Sequence, residues 1–187
     1  QPGDPLVVVA PGAIGADGAG QRPGTEAASG PRGLDRPDLA EVVERHALGH
    51  DAARPEAVAR RRAVGRRTAR ENVADLVDPG SLVEYGPVVV AAQHRRRDHD
   101  DLVRRTPADG MVGGLATVNA ALFPGRDARA VVMSYDYTVM AGTQGHRNHR
   151  KKDRLFDLAE RLRAPVVFFT EGGGGRPGDT DTGGVTG

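Results

Sequence analysis

Apolar and polar positions along the 187-residue chain change period several times, and each change predicts an element. Leu6-Val7-Val8-Val9 is a short apolar run between Pro5 and Pro11, which reads as one strand. The chain then passes through Gly, Ala, Pro and Thr to about residue 36, a composition that cannot build a core and reads as a flexible linker. From Pro37 to Leu48 the residues Leu39, Val42, Val43 and Ala47 share one face, with Glu41, Glu44 and Arg45 opposite, which is a helical period. Asp35 or Asp38 offers its cap. A second helical stretch begins near Pro55, and inside it Thr68-Ala69-Arg70-Glu71 spells a capping box directly before Val73, Leu76 and Val77. Asp78-Pro79-Gly80-Ser81 stops that helix and turns the chain.

Four mostly apolar, β-branched stretches follow, at 82–92, 111–122, 130–140 and 165–170, and predict strands. Several are apolar on both faces, as expected of a sheet covered on both sides. Pro124-Gly125-Arg126-Asp127 makes a hairpin-like connection between the second and third. Between the last two, residues 148–163 place Leu155, Leu158, Ala159 and Leu162 on one helical face. The order strand, strand, helix, strand defines an α/β unit.

Composition sharpens this division. Residues 1–37 hold 8 Gly and 6 Pro and residues 172–187 hold 8 Gly and 1 Pro, whereas the stretch between has ordinary globular content. With no Trp and seven aromatics in all, aliphatic residues and Ala do most of the packing. The absence of Cys excludes a disulfide framework, a thiolate zinc site and a cysteine nucleophile, and makes a reducing, cytoplasmic compartment the expectation. No run of about 18 apolar residues occurs, so no membrane span is expected. Nor does the start pair a basic segment with an apolar one, as a secretory signal would. Of 26 basic residues 24 are Arg, and the formal net charge is only +1, so no global field for nucleic acid is expected.

The strongest chemical feature is Pro165-Val166-Val167-Phe168-Phe169-Thr170-Glu171-Gly172-Gly173-Gly174-Gly175-Arg176, a buried strand running into four glycines. Glycines at a strand's carboxyl end let the backbone approach a ligand and present bare N–H groups, the requirement of an oxyanion hole. A plain flexible loop is the alternative. No Gly-Lys-Ser/Thr follows, so it is not a phosphate loop, and Pro177 with its polar surroundings does not open the apolar helix of a dinucleotide fingerprint. The second feature runs from Met133 to Gly145, a strand ending at the small residues Ala141, Gly142 and Thr143 before a basic helix in which Arg150, Lys151 and Lys152 offer charge to phosphates. His94 and His99 with Asp98, Asp100 and Asp101, and the pair His146 and His149, lie among arginines that would repel a cation. They read as solvated charged turns, and no metal is expected. Arg60-Arg61-Arg62 with Arg66-Arg67 reads either as an anion or nucleic-acid patch or as an exposed basic helix face. No Gly-x-Ser-x-Gly elbow for a hydrolytic triad is present.

Taken in order, four blocks resemble the carboxyltransferase component of biotin-dependent acyl-CoA carboxylases, the acetyl- and propionyl-CoA carboxylase family. They are Gly65-Arg66-Arg67-Thr68-Ala69-Arg70-Glu71 with Leu76-Val77-Asp78-Pro79-Gly80-Ser81-Leu82-Val83-Glu84; Asp109-Gly110-Met111-Val112-Gly113-Gly114; Asp136-Tyr137-Thr138-Val139-Met140-Ala141-Gly142-Thr143-Gln144-Gly145; and the stretch from Pro165 to Arg176. The resemblance covers about Ala57 to Asp181. It implies a partial crotonase/ClpP-like ββα superhelix, with residues 37–187 as the N-terminal part of the domain and the half that follows in the family lying past Gly187. Residues 1–10 are similar to the last strand of a biotin carrier domain, with 11–36 as the linker, as in a fused single-chain carboxylase.

The resemblance further implies transfer of a carboxyl group from carboxybiotin to the α-carbon of an acyl-CoA (acetyl, propionyl or longer) through an enolate, with the biotin nitrogen taking the α-proton and no side chain as base. By the same resemblance, the N–H groups of Gly173 and Gly174 hold the thioester oxyanion, and Ala141, Gly142 and Thr143 lie beside the CoA. Gly172, Gly175 and Arg176 complete the substrate-binding loop, with Glu171 standing for the family's Asp and Gly172 for its Ser. Biotin would be carried on another domain or subunit, since neither lysine follows a methionine. The implied partners are the biotin carrier and biotin carboxylase domains and further copies of the carboxyltransferase domain in a homo-oligomer. Isolated turnover by this stretch is not expected. Two alternatives stay open: an enoyl-CoA hydratase or isomerase of the same fold, which needs a carboxylate acid/base such as Glu171, and a non-enzymatic Arg-rich module that binds nucleic acid.

Overall fold

The computed structural model describes residues 36–181. The strand expected at 6–9, most of the linker and the last six residues lie outside them. Helices α1 (Pro37–Ala47), α2 (Pro55–Ala63) and α3 (Ala69–Leu76) come first. Then follow β1 (Val83–Glu84), α4 (His99–Arg105), the hairpin of β2 (Met111–Thr117) and β3 (Arg129–Tyr135), α5 (His146–Leu162) and β4 (Val166–Phe169). The sheet order is β1-β2-β3-β4, antiparallel except for the parallel β3–β4 pair that α5 bridges.

Alternation along β2 and β3 explains the layers. Val112, Ala116, Ala130 and Val132 face Ala69 and Val73 of α3, while Met111, Val131, Met133 and Tyr135 face Leu155 and Ala159 of α5. The central strands β2 and β3 are therefore covered on both sides, whereas β4, expected to be buried, is only partly covered, with Val166 exposed at the edge. Gly113 and Gly114 fit this packing: a Cβ on Gly113 would stand 2.9 Å from Leu155 Cδ1, and one on Gly114 would collide with the Val83 carbonyl. The capping box forms as spelled, with Glu71 N–H donating to Thr68 Oγ1 at 3.1 Å and Thr68 N–H donating to Glu71 Oε2 at 2.8 Å.

Three expectations are corrected. The run 82–92 pairs only at Val83 and Glu84, because Gly86 turns with φ +57 and Pro87 has no N–H to give a ladder. Val90 and Ala91 instead pack on Leu102 and Val103 of α4. The segment around Asp98 is not a bare charged turn: the Asp98 carboxylate accepts from Asp101 N–H at 2.8 Å and starts α4. The third strand stops at Tyr135, because Asp136 Oδ1 accepts from Thr138 N–H at 2.9 Å and turns the chain. Helix α1 forms as predicted, yet its stripe Leu39, Val42 and Val43 is exposed and none of its residues is buried.

Candidate functional site

The two sequence features meet where β3 and β4 leave the sheet side by side. Their exits interlock through backbone: Gly173 N–H donates to Ala141 O at 2.9 Å, Gln144 N–H to Gly174 O at 2.8 Å, and Arg176 N–H to Gln144 O at 2.8 Å. Two glycines are required by this contact. A Cβ on Gly142 would sit 2.9 Å from both Glu171 O and Gly172 Cα, and one on Gly172 would sit 2.5 Å from Gly142 O. Gly174 differs, since its φ of +81 needs glycine while nothing lies within 4 Å of the Cβ position. Gly175 also opens on free space.

The expected pair of oxyanion donors is thus divided. The Gly173 N–H is committed to Ala141 O, whereas the Gly174 N–H donates to no protein group among the described residues. Ala141, Gly142 and Thr143 lie against the glycine loop, in a turn where Met140, Ala141 and Gly142 all have positive φ (49, 55 and 64). Such a backbone is costly for non-glycine residues and persists only where its surroundings hold it.

What holds it was not visible in the sequence pattern. Arg176 is buried, with its guanidinium spent on protein: Nη1 on Asp109 Oδ1 at 2.5 Å, Nη2 on Thr143 O at 2.7 Å and Nε on Thr143 Oγ1 at 3.2 Å. Asp109 is fully buried just before β2 begins, and burial pushes its carboxyl up while the Arg176 guanidinium pulls it down. Its other oxygen accepts from Asn148 N–H at 2.7 Å, and Asp179 accepts from His146 N–H at 2.7 Å, so two carboxylates sit at the N-terminus of α5. On the outer side, Arg61 of α2 reaches Glu171 through two bonds of 3.2 and 2.6 Å and lies 5.0 Å from the Tyr137 ring centroid. Its guanidinium holds the Glu171 carboxyl below the usual carboxylate range. Arg54 braces the other exit, donating to Asp136 Oδ2 at 2.8 Å and to Thr138 Oγ1 at 2.5 Å.

The arginine run is therefore largely spent within the chain: Arg61 on Glu171, Arg62 on Glu71 and Arg67 on Asp75. Beside the Met140 turn, a cavity of about 560 Å³ is lined by Arg54, Arg60, Arg97, Arg104 and Arg105. Asp101 neutralises part of this charge through Arg97 and Arg105, and Arg104 has no acidic partner among the described residues. Complementary charges in two strand-end blocks, Asp109 and Arg176, were the one signal that could have exposed the buried network. For Arg61 and Glu171, 110 positions apart, no such signal exists. His94 stacks on His99 and pairs with Asp181, and His149 lies 3.2 Å from Lys152 Nζ. No helix among the described residues is long and apolar enough to cross a membrane.

Two adjoining, glycine-lined strand exits, with loop N–H groups that donate to no protein group among the described residues, lie at one end of a sheet packed between α3 and α5, on a crotonase-like α/β scaffold. A sequence profile described as the carboxyl transferase domain matches residues 60–185, and the chain belongs to that family. It is 36% identical over 138 residues to the propionyl-CoA carboxylase beta chain of Saccharopolyspora erythraea, covering 74% of this chain and 23% of that one. It is 32% identical over 146 residues to the biotin-dependent long chain acyl-coenzyme A carboxylase beta4 subunit of Mycobacterium tuberculosis, covering 77% of this chain and 25% of the relative. Among solved structures, a single-chain, multi-domain long-chain acyl-CoA carboxylase superposes with a TM-score of 0.76 at 64% identity, over 81% of this chain and 15% of that one. The transcarboxylase 12S core, described as a hexamer, superposes with a TM-score of 0.58 at 27% identity, over 76% of this chain and 26% of that one. The chain thus spans about a quarter of the length of the curated relatives it matches.

Proposed function

We propose that this chain supplies the acyl-CoA side of a biotin-dependent carboxyltransferase site. The observation that supports the reading is a set of loop N–H groups, those of Gly172, Gly174 and Gly175, that donate to no protein group among the described residues, with open space at the Cβ positions of Gly174 and Gly175. As an α-proton leaves an acyl-CoA thioester, negative charge gathers on the carbonyl oxygen, and a fixed N–H within hydrogen-bond reach lowers that barrier without rearranging. Gly173 contributes by anchoring the loop to Ala141, and Gly172 and Gly175 contribute by letting backbone approach closely. Ala141, Gly142 and Thr143 form the wall against which the thioester lies. The arginine-lined cavity beside Met140 suits the phosphates of CoA, since guanidinium groups match phosphate oxygens in bidentate fashion.

Carboxybiotin would supply the carboxyl group and accept the α-proton. Neither lysine offers it an attachment point here, since Lys151 is buried on Gly86 O and Met111 O and Lys152 follows another lysine. Biotin is therefore read as arriving on a carrier domain with its biotin carboxylase, and the names of the relatives support that reading. Residues 37–187 are read as the N-terminal part of the carboxyltransferase domain, with 1–10 and 11–36 as carrier strand and linker. A homo-oligomer in a cytoplasmic setting completes the proposal, supported by the hexameric neighbour.

A hydratase or isomerase reading is disfavoured by Glu171, whose carboxylate is held ionised by Arg61 and so makes a poor general acid. The test is Gly174→Val in the assembled enzyme. Valine keeps the N–H but sets a branched side chain at φ +81 beside it, so displacing the donor should lower carboxylation of acyl-CoA by about 100-fold, as loss of an oxyanion donor does. Turnover within twofold of the parent would overturn the proposal.

A further inference from the structure

We infer that Arg176, held by Asp109 and Asp179 in a buried network, is the positioning residue of the reaction: it fixes the spacing between the Gly174 loop and the Met140–Thr143 turn. The inference rests on the proposed oxyanion role of Gly174 and adds residues that touch no substrate. The Arg176 side chain is 2% exposed, Asp109 0% and Asp179 7%, so the guanidinium has no free edge for a ligand. All its short bonds run inward. One arm reaches Asp109 just before β2, and two donors grip Thr143 at its carbonyl (2.7 Å) and hydroxyl (3.2 Å). Thr143 Oγ1 in turn donates to Met140 O at 2.7 Å and closes the left-handed turn that carries Ala141.

Glycine loops have no side chains with which to fix themselves, and loop 172–175 has none. Its geometry is therefore set by what flanks it, and Arg176 is its immediate neighbour. The network is also tied to a rigid element, because Asp109 and Asp179 accept from the N–H groups of Asn148 and His146 in the first turn of α5. Packing confirms how little room is left: a Cβ on Gly145 would lie 2.5 Å from Arg176 Nη1 and would collide with Asp179 Oδ2. The planar fork matters as much as the charge, since a lysine at 176 could reach one of these acceptors but not bridge Asp109 and Thr143 together.

The expected signature is a split between chemistry and binding. A loop displaced by a fraction of an ångström still binds acyl-CoA but aligns its donor poorly with the forming oxyanion. In the assembled enzyme, Arg176→Lys should lower kcat about tenfold or more while the KM for acyl-CoA stays within about threefold. In the 187-residue chain itself, hydrogen exchange at the bonded junction amides of Gln144, Gly173 and Arg176 should quicken in the variant while that of the β2–β3 ladder is unchanged. Should Arg176→Lys fail to fold, Thr143→Val removes the hydroxyl that both accepts from Arg176 and donates to Met140 O, and Thr143→Ser retains it. The valine variant should lose kcat several-fold and the serine variant should recover it. A folded Arg176→Lys enzyme with kcat within twofold of the parent, or equal kcat for the valine and serine variants where Arg176→Lys does not fold, overturns the inference. If Gly174→Val leaves turnover intact, the proposed function falls instead; if that variant is inactive while Arg176→Lys is not, only the positioning role falls.

Discussion

The two strand exits both expose backbone, but they are secured in different proportions by their own side chains and by distant ones. The exit of β3 carries its own anchors, with Asp136 and Thr138 bonded to each other and to Arg54, and Thr143 closing the turn. The exit of β4 is nearly bare of side chains and borrows its anchors from α2, through Arg61 to Glu171, and from the turn just before β2, through Arg176 to Asp109. On the proposed reading, a loop that offers N–H groups to a ligand cannot crowd them with side chains, so its rigidity comes from distant parts of the fold.

The glycines of the two exits give the sharpest way to break this comparison. Gly142→Ala should cost about 3 kcal/mol, because a left-handed residue gains a Cβ that meets Glu171 O and Gly172 Cα at 2.9 Å. Gly174→Ala should cost only about 1 kcal/mol, since φ alone objects and the space is open. Urea titrations of both variants measure the difference, and equal losses would mean the exits are not interlocked as described.

A reference outside both exits comes from Lys151, a buried residue of α5 with its pKa lowered from 10.5 to about 8 chiefly by desolvation. Between these two values the unfolded chain binds the extra proton, so this group makes stability rise with pH across about 8 to 10.5. The rise is on the order of 3 kcal/mol across the full window and should vanish in Lys151→Met, as read by denaturant midpoints at pH 8 and 10. If the parent and variant curves run parallel, Lys151 is not buried as an amine. The smallest effect is expected at Glu171→Gln. Its side chain is 45% exposed, so loss of the ion pair with Arg61 should cost below about 1 kcal/mol. Turnover should stay within a few-fold, and a hundredfold loss would return Glu171 to the role of acid/base.

Much of the fold was legible because its signals are local. The capping box at Thr68 and Glu71, the two-faced apolar strands and the period of α5 each lie within one or two turns of chain. The errors have local causes of another kind. A β-branched run at 88–92 was read as a strand, but Gly86-Pro87 detaches it from the ladder and α4 provides a different surface for it. Helix α4, seven residues long, is too short for periodicity to announce. At the site, the glycine block and the small residues at 141–143 were found because they are contiguous, while Arg54, Arg61, Asp109 and Asp179 were not, because their partners lie 33 to 110 positions away.

The sequence by itself determined which segments are helix or strand and where backbone would be bare, since propensity, capping and glycine's freedom at positive φ act over a few residues. Only the tertiary structure decided which N–H groups stay unspent. It did so by committing Gly173 to Ala141 while the N–H groups of Gly172, Gly174 and Gly175 donate to no protein group among the described residues, an arrangement that depends on how two exits some 30 residues apart are clamped together.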